Sequence, residues 1–238
     1  MKTAYCNKVC QTQHWEEHKS QCLGRRKVCR AVSLIYDLFV MFQNKAWIDK
    51  QITGITEKQV LFDSECQQLL CTCQGLVKLL LLPLCETLQE VEIMPRNAYR
   101  PTCDMRHDTA HNTMYNQHVV LCATLKSGEQ MAVDIAGAQF GWRETVAQWG
   151  VWTGHRVAGK PLPQPFGYAQ QCMQTLYPFA APQFVQVSES QRSSLAQKMQ
   201  AAVRNKMKEH KAAGYERNVG GSTCSIQRLQ AVIRICVK

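Results

Sequence analysis

The sequence predicts an α+β protein, and three features carry that expectation. An amphipathic helical run lies at residues 28–44, a strand–turn–strand pattern at 118–134, and a second long helical pattern at 188–213. The architecture expected is a small cysteine-rich segment with a helix, followed by a domain of helices and antiparallel sheet. With 238 residues, 45% of them hydrophobic and 19% charged, the chain has the composition of a folded protein with room for one ordinary domain and an appendage.

Taken in order, residues 1–24 hold a cysteine cluster, and Arg25-Arg26-Lys27 link it onward. In "VCRAVSLIYDLFVMFQN", Val32, Ile35, Tyr36, Phe39 and Phe42 recur at helical spacing, which places them on one face. A second helix is expected from Ser64, a candidate N-cap, to Leu82, where Pro83 removes a donor and stops it. "HVVLCATL" and "QMAVDIAGAQFGW" flank Lys126-Ser127-Gly128-Glu129 and form a hairpin by their turn chemistry. After Trp152 the chain is expected to be irregular, with "GKPLPQPFGY" proline-rich and extended. From Ser188 to Ala213 the stripe Leu195, Met199, Val203, Met207 marks a helix that stops at Gly214. These segments suggest three units: 1–24, a main domain at 28–187, and a basic helix with the C-terminal segment at 188–238.

The net charge of +10 is uneven. Residues 1–30 carry seven lysines and arginines against two glutamates, and residues 188–238 carry ten against three acids. Basic ends around a near-neutral body raise nucleic acid as a possible partner, but no aromatic residues interleave Arg25-Arg26-Lys27 or the helix from Lys198 to Lys211. The most apolar run, Leu76 to Cys85, contains Lys78 and Pro83 and is too short to span a bilayer. No apolar leader segment is visible, so an intracellular protein of the nucleus or cytoplasm is expected, with no membrane partner.

In such a compartment the 13 cysteines stay reduced; scattered ones read as small core residues and clustered ones as metal ligands. Cys71 and Cys73 are spaced too tightly for a zinc knuckle and, with Cys66, read as helix residues. "YCNKVCQTQHWEEHKSQC", residues 5–22, is the cluster. Zinc takes four thiolate or imidazole ligands in a tetrahedron. Cys6 and Cys10 can form a knuckle, and His18 and Cys22, four apart, project from one face of a helix beginning near Gln11, with Trp15 positioned to cover them.

The spelling C-x3-C-Q-x3-W-x2-H-x3-C, given by Cys6, Cys10, Gln11, Trp15, His18 and Cys22, resembles the second half of a MYND-type zinc finger, and Tyr5 fits as well. The resemblance covers only residues 5–22. It implies Zn2+ as cofactor and a protein partner, typically a short proline-containing peptide, in transcription-related recruitment. The family's finger binds two zincs with four ligand pairs in interleaved order, of which the last two pairs stand here. Either these four ligands close on one ion, or the site is a remnant. The SET methyltransferase that accompanies such fingers is not expected, because "MYNQHVV" supplies no Asn-His-Ser-Cys-like segment.

A second reading concerns His118 and Asp134. Their layout is similar to that of papain- and transglutaminase-type cysteine hydrolases, in which His accepts the thiol proton and Asp on the neighbouring strand orients the ring. The two share a sheet face only if the turn has an odd residue count or a bulge. The nucleophile should stand upstream at a helix start, where Cys66 is the one reasonable candidate. In the bland alternative His118 caps a strand, Asp134 bonds the turn at Ala136-Gly137, and Cys66 is packed. His107, Asp108 and His111 form another cluster, without a metalloprotease spelling or a third ligand, and read as a loop or helix end.

The sequence as a whole is therefore read as a non-catalytic, zinc-binding adaptor of the MYND-like kind. The alternative is a cysteine hydrolase, or its inactive relative, using Cys66, His118 and Asp134; the second alternative is nucleic-acid binding through the basic termini.

Overall fold

A computed structural model describes residues 8–46, 66–98, 117–180 and 183–212. The architecture is mixed α+β, as the sequence predicts. Among the described residues, five strands form one antiparallel sheet in the order β4-β3-β2-β1-β5. They are β1 (Cys85–Pro95), β2 (His118–Leu125), β3 (Gln130–Val133), β4 (Val146–Gln148) and β5 (Val157–Pro165). The α-helices are α1 (Lys8–Ala46), α2 (Cys66–Leu80), α3 (Trp149–Arg156), α4 (Tyr168–Ala180) and α5 (Gln183–Ala212).

The helices form because their apolar residues recur at helical period, and the sheet gives them a surface to bury. In α1, Val28, Val32, Ile35 and Phe39 are buried; in α2, Leu69, Leu70, Cys73, Leu76 and Val77 are. They join Val119, Leu121, Ala123 and Leu125 from one face of β2 and Met199 and Val203 from α5 in a single core. The opposite sheet face carries Val91, Ile93, Val120, Cys122 and Ala132, packed with Trp152 of α3. Both faces of β2 are thus covered, and the continuous apolar run of "HVVLCATL" follows from that.

Three features differ from expectation. Residues 85–95, "CETLQEVEIMP", form a strand paired on both sides, although their glutamates obscure the alternation. Residues 149–156, expected to lead into irregular chain, form α3, and the proline-rich segment after them is β5. Prolines are tolerated there because β5 is an edge strand and its outer side needs no ladder donors. Finally, α1 runs unbroken through Arg25-Arg26-Lys27, joining the cysteine-rich segment and the first amphipathic run in one helix.

Pro83 lies in a single 3-10 turn, Leu82–Leu84, just after α2. There the chain reverses into β1. The hairpin that follows closes over three residues. Leu125 pairs with Glu129 and Gly128 returns its N–H to Leu125, while Gly128 adopts φ 78°, a left-handed conformation that glycine takes without cost.

Candidate active site

Turn length decides what the hairpin presents. A three-residue connection sets Leu121 opposite Val133 and Thr124 opposite Gln130. Continuing that register by one step puts Asp134 opposite Val120, and His118, two residues from Val120, falls on the same face. The odd residue count that the sequence left open is supplied by Lys126-Ser127-Gly128. His118 and Asp134 are therefore brought together.

The His118 Nε2–H donates to Asp134 Oδ1 at 2.8 Å, with both side chains fully buried. Phe140 and Trp142 meet the imidazole edge-on, at ring-centre distances of 4.9 and 6.0 Å. With Nε2 committed to the carboxylate, Nδ1 is the nitrogen left for a further partner. The thiol of Cys66 lies close enough to the imidazole to act on it by hydrogen bond and charge. Cys66 is the first residue of α2 and is buried at 9% exposure. The side-chain amide of buried Gln139 also approaches Nδ1, at 3.4 Å.

Cys66 of α2, His118 of β2 and Asp134, the residue after β3, thus stand in series, thiol to imidazole to carboxylate. Burial pushes the Cys66 thiol up, but the hydrogen bond and charge of His118, with the backbone N–H groups of Val119 and Gln67, outweigh it and hold the thiol below its ordinary value. For His118, burial pulls the imidazole down. The charge and hydrogen bond of Asp134, then the contact with Cys66, overcome this and push it up to about 10. Both shifts favour a thiolate–imidazolium pair. Other buried thiols go the opposite way: burial raises Cys73, and it raises Cys85 and Cys122 to about 11 each. Desolvation raises Cys29, exposed on α1, as well. Low dielectric alone disfavours the thiolate, so the reversal at Cys66 needs specific partners.

Asp134 is held by its surroundings. Its N–H bonds the carbonyl of Thr145 at 2.8 Å, and its Oδ2 lies where a side chain on Gly137 would begin, 2.5 Å from an ideal Cβ. The glycine makes room for the carboxylate. Gln139 went unrecognised in the sequence, and Gly137 was expected only as part of the turn that Asp134 bonds; "AGAQFGW" carries no pattern that distinguishes a site residue from a turn residue.

Beside the triad lies a small recess. Its walls include Gln67 and Val119, the chain neighbours of Cys66 and His118, together with Glu90, Glu92, Tyr168 and Cys172. Glu90 is buried and fully engaged: Oε1 accepts the Gly167 N–H and Oε2 the Ala169 N–H, both at 2.7 Å, at the start of α4.

The residues of the cysteine-rich segment stand differently. Cys6 lies outside the described residues, as do the side chains of Cys10 and His18; the cluster His107, Asp108 and His111 also lies outside them. Cys10 is already within α1, which starts at Lys8 rather than near Gln11. Twelve residues at a rise of 1.5 Å put Cys10 and Cys22 about 18 Å apart along the axis, whereas Zn–S bonds are about 2.3 Å. The helix as described does not bring Cys10 to the same ion as Cys22, whereas His18 and Cys22 stand one turn apart along it. Among the described residues no group of three His, Cys, Asp or Glu side chains could hold a metal ion. Of the basic link, Arg25 is engaged: its Nε and a terminal nitrogen pair with the two carboxylate oxygens of Glu129 at 2.6 and 2.5 Å, tying α1 to the hairpin turn. No described helix is long and apolar enough to cross a membrane. No protein-family model, no curated protein and no solved structure matches this chain.

Proposed function

We propose that the chain is a cysteine-dependent acyl-transfer enzyme, hydrolysing or exchanging an amide or ester, with Cys66 as nucleophile, His118 as acid and base, and Asp134 orienting the ring. The observation that carries this reading is the buried His118–Asp134 hydrogen bond, with the Cys66 thiol beside the same imidazole and held by it below its ordinary value. The thiolate attacks the carbonyl carbon, forming a C–S bond and sending the π electrons to oxygen. Collapse of that adduct breaks the bond to the leaving amine or alkoxide, which takes the Nδ1 proton of His118. Water or a second acceptor, deprotonated by the now neutral His118, then attacks the thioester and releases the thiolate. Asp134 keeps the proton on Nε2 throughout and stabilises the imidazolium.

This reading displaces the non-catalytic adaptor as the first proposal, because a structural cysteine has no need of a buried imidazole and carboxylate aligned behind it. The finger resemblance remains a proposal for residues 5–22 alone.

The test needs no substrate. The full chain is treated with limiting iodoacetamide near neutral pH, and the adducts are mapped by peptide mass spectrometry. Cys66 is expected to react ahead of exposed Cys29, and His118→Ala to abolish that lead. A first adduct at Cys29, with Cys66 inert, overturns the proposal.

A further inference from the structure

The recess beside Cys66 has a charge opposite to that of the protein. The chain carries +10 overall, yet the described walls of the recess include two carboxylates and no Lys, Arg or His. Glu90 is committed to the start of α4, as above. Glu92 makes no hydrogen bond or ion pair among the described residues, and it lines the recess together with Tyr168. In the β1–β2 ladder Glu92 stands directly opposite Val119, whose N–H faces the Cys66 sulfur. On its other side Glu92 pairs with Leu162 of β5, which is 53% exposed. Cross-strand partners share a face, so the Glu92 carboxylate and the exposed Leu162 side chain stand together, opposite the Val119 whose N–H faces Cys66, and the Tyr168 ring shares the recess with Glu92.

Such a surface suits a cation on an aliphatic stem. The stem covers Leu162 and the Tyr168 ring, and the head meets Glu92. Resting on the thiol-enzyme reading, we propose that this recess is a substrate subsite, and that Glu92 selects substrates bearing a lysyl- or arginyl-like side chain next to the acyl carbon that Cys66 attacks. An anionic group in the same place would face Glu92 with no compensating charge.

The test compares two thiol reagents of similar size on the full chain: 2-aminoethyl methanethiosulfonate, a cation, and neutral methyl methanethiosulfonate. The rate of each at Cys66 is followed by peptide mass spectrometry. Glu92→Gln is expected to lower the cation-to-neutral rate ratio about fivefold, in the range of one partly exposed ion pair. Glu86→Gln removes an exposed carboxylate of the same strand outside the recess, and is expected to leave the ratio unchanged. An unchanged ratio in Glu92→Gln, or an equal fall in both variants, overturns the subsite. The neutral reagent separately tests the underlying reading: if it modifies Cys66 no faster than Cys29, the thiol-enzyme proposal fails, whatever the ratio does.

Discussion

His118 and Asp134 are sixteen residues apart in sequence and 2.8 Å apart in space, and a three-residue turn is what makes them neighbours. A two-residue turn between the same strands would have sent the side chains to opposite faces. Burial beside Phe140 and Trp142 disfavours a charged imidazole, and the charge and hydrogen bond of Asp134 outweigh it.

The paired shifts of Cys66 and His118 predict how stability varies with pH. A raised imidazole contributes fully below its unfolded value, about 6.5, and that contribution fades as pH rises toward the folded value of about 10. A lowered thiol contributes fully above its unfolded value, about 8.5, and loses this as pH falls toward its folded value. Just below about 8.5 the two slopes oppose each other. Urea midpoints of the wild type relative to the double variant Cys66→Ala/His118→Ala should therefore fall as pH rises from about 8.5 toward about 10 and change less per pH unit just below about 8.5. An equally steep slope on both sides of about 8.5 would show that folding does not lower the thiol.

Space for Asp134 is a second point of leverage. A methyl group on Gly137 would stand 2.5 Å from Oδ2 and 2.9 Å from Cγ of the carboxylate, so one of them must move. Gly137→Ala is expected to cost about 1–3 kcal/mol, as overpacking does, and to slow Cys66 alkylation at neutral pH as His118 loses its anchor. Gly128→Ala is the control. It meets nothing within 4 Å but occupies φ 78°, so it should cost about 1 kcal/mol of backbone strain and leave Cys66 reactivity intact. Equal alkylation rates in the two variants would show that Gly137 does not position Asp134.

How much of this was legible in the sequence differs from element to element. The long amphipathic helices and the hairpin carry their signal locally, in the spacing of residues such as Val32, Ile35 and Phe39, and they stand where expected. The candidate residues Cys66, His118 and Asp134 were legible as types in a suitable order. Their assembly was not, since it turns on whether Glu129 belongs to the loop or to the ladder, a difference of one residue. The strand β1 was hidden by its own function: Glu90 is buried because two N–H groups of a distant helix need its oxygens, and no local pattern announces a carboxylate in a core position. The pairing of Arg25 with Glu129 was equally invisible, and it removes one charge from a patch that composition alone would assign to nucleic acid.

Glu90 itself yields a stability prediction. Its two oxygens accept the N–H groups of Gly167 and Ala169, and an amide offers only one acceptor oxygen in their place. Glu90→Gln leaves a donor unmatched and removes a negative charge from the start of α4, at an expected cost of about 1–3 kcal/mol. The melting temperature should fall, and amide exchange should quicken first at the N-terminal turn of α4. Unchanged exchange there would mean that the carboxylate does not anchor the helix.

The cysteine-rich segment is tested by the length of its helix. For Cys6, Cys10, His18 and Cys22 to surround one zinc, the backbone would have to leave the helical path between Cys10 and His18, because eight residues of helix already span about 12 Å. Zinc closure and an intact α1 from Lys8 are mutually exclusive, and circular dichroism separates them. With α1 helical from Lys8, one equivalent of zinc added to chelator-treated protein is expected to leave the helical ellipticity unchanged, and Cys22→Ser is expected to behave as the wild type does. Stoichiometric binding with a loss of helical signal, abolished in Cys22→Ser, would establish instead that the half-finger closes on one ion by unwinding the first turns of α1.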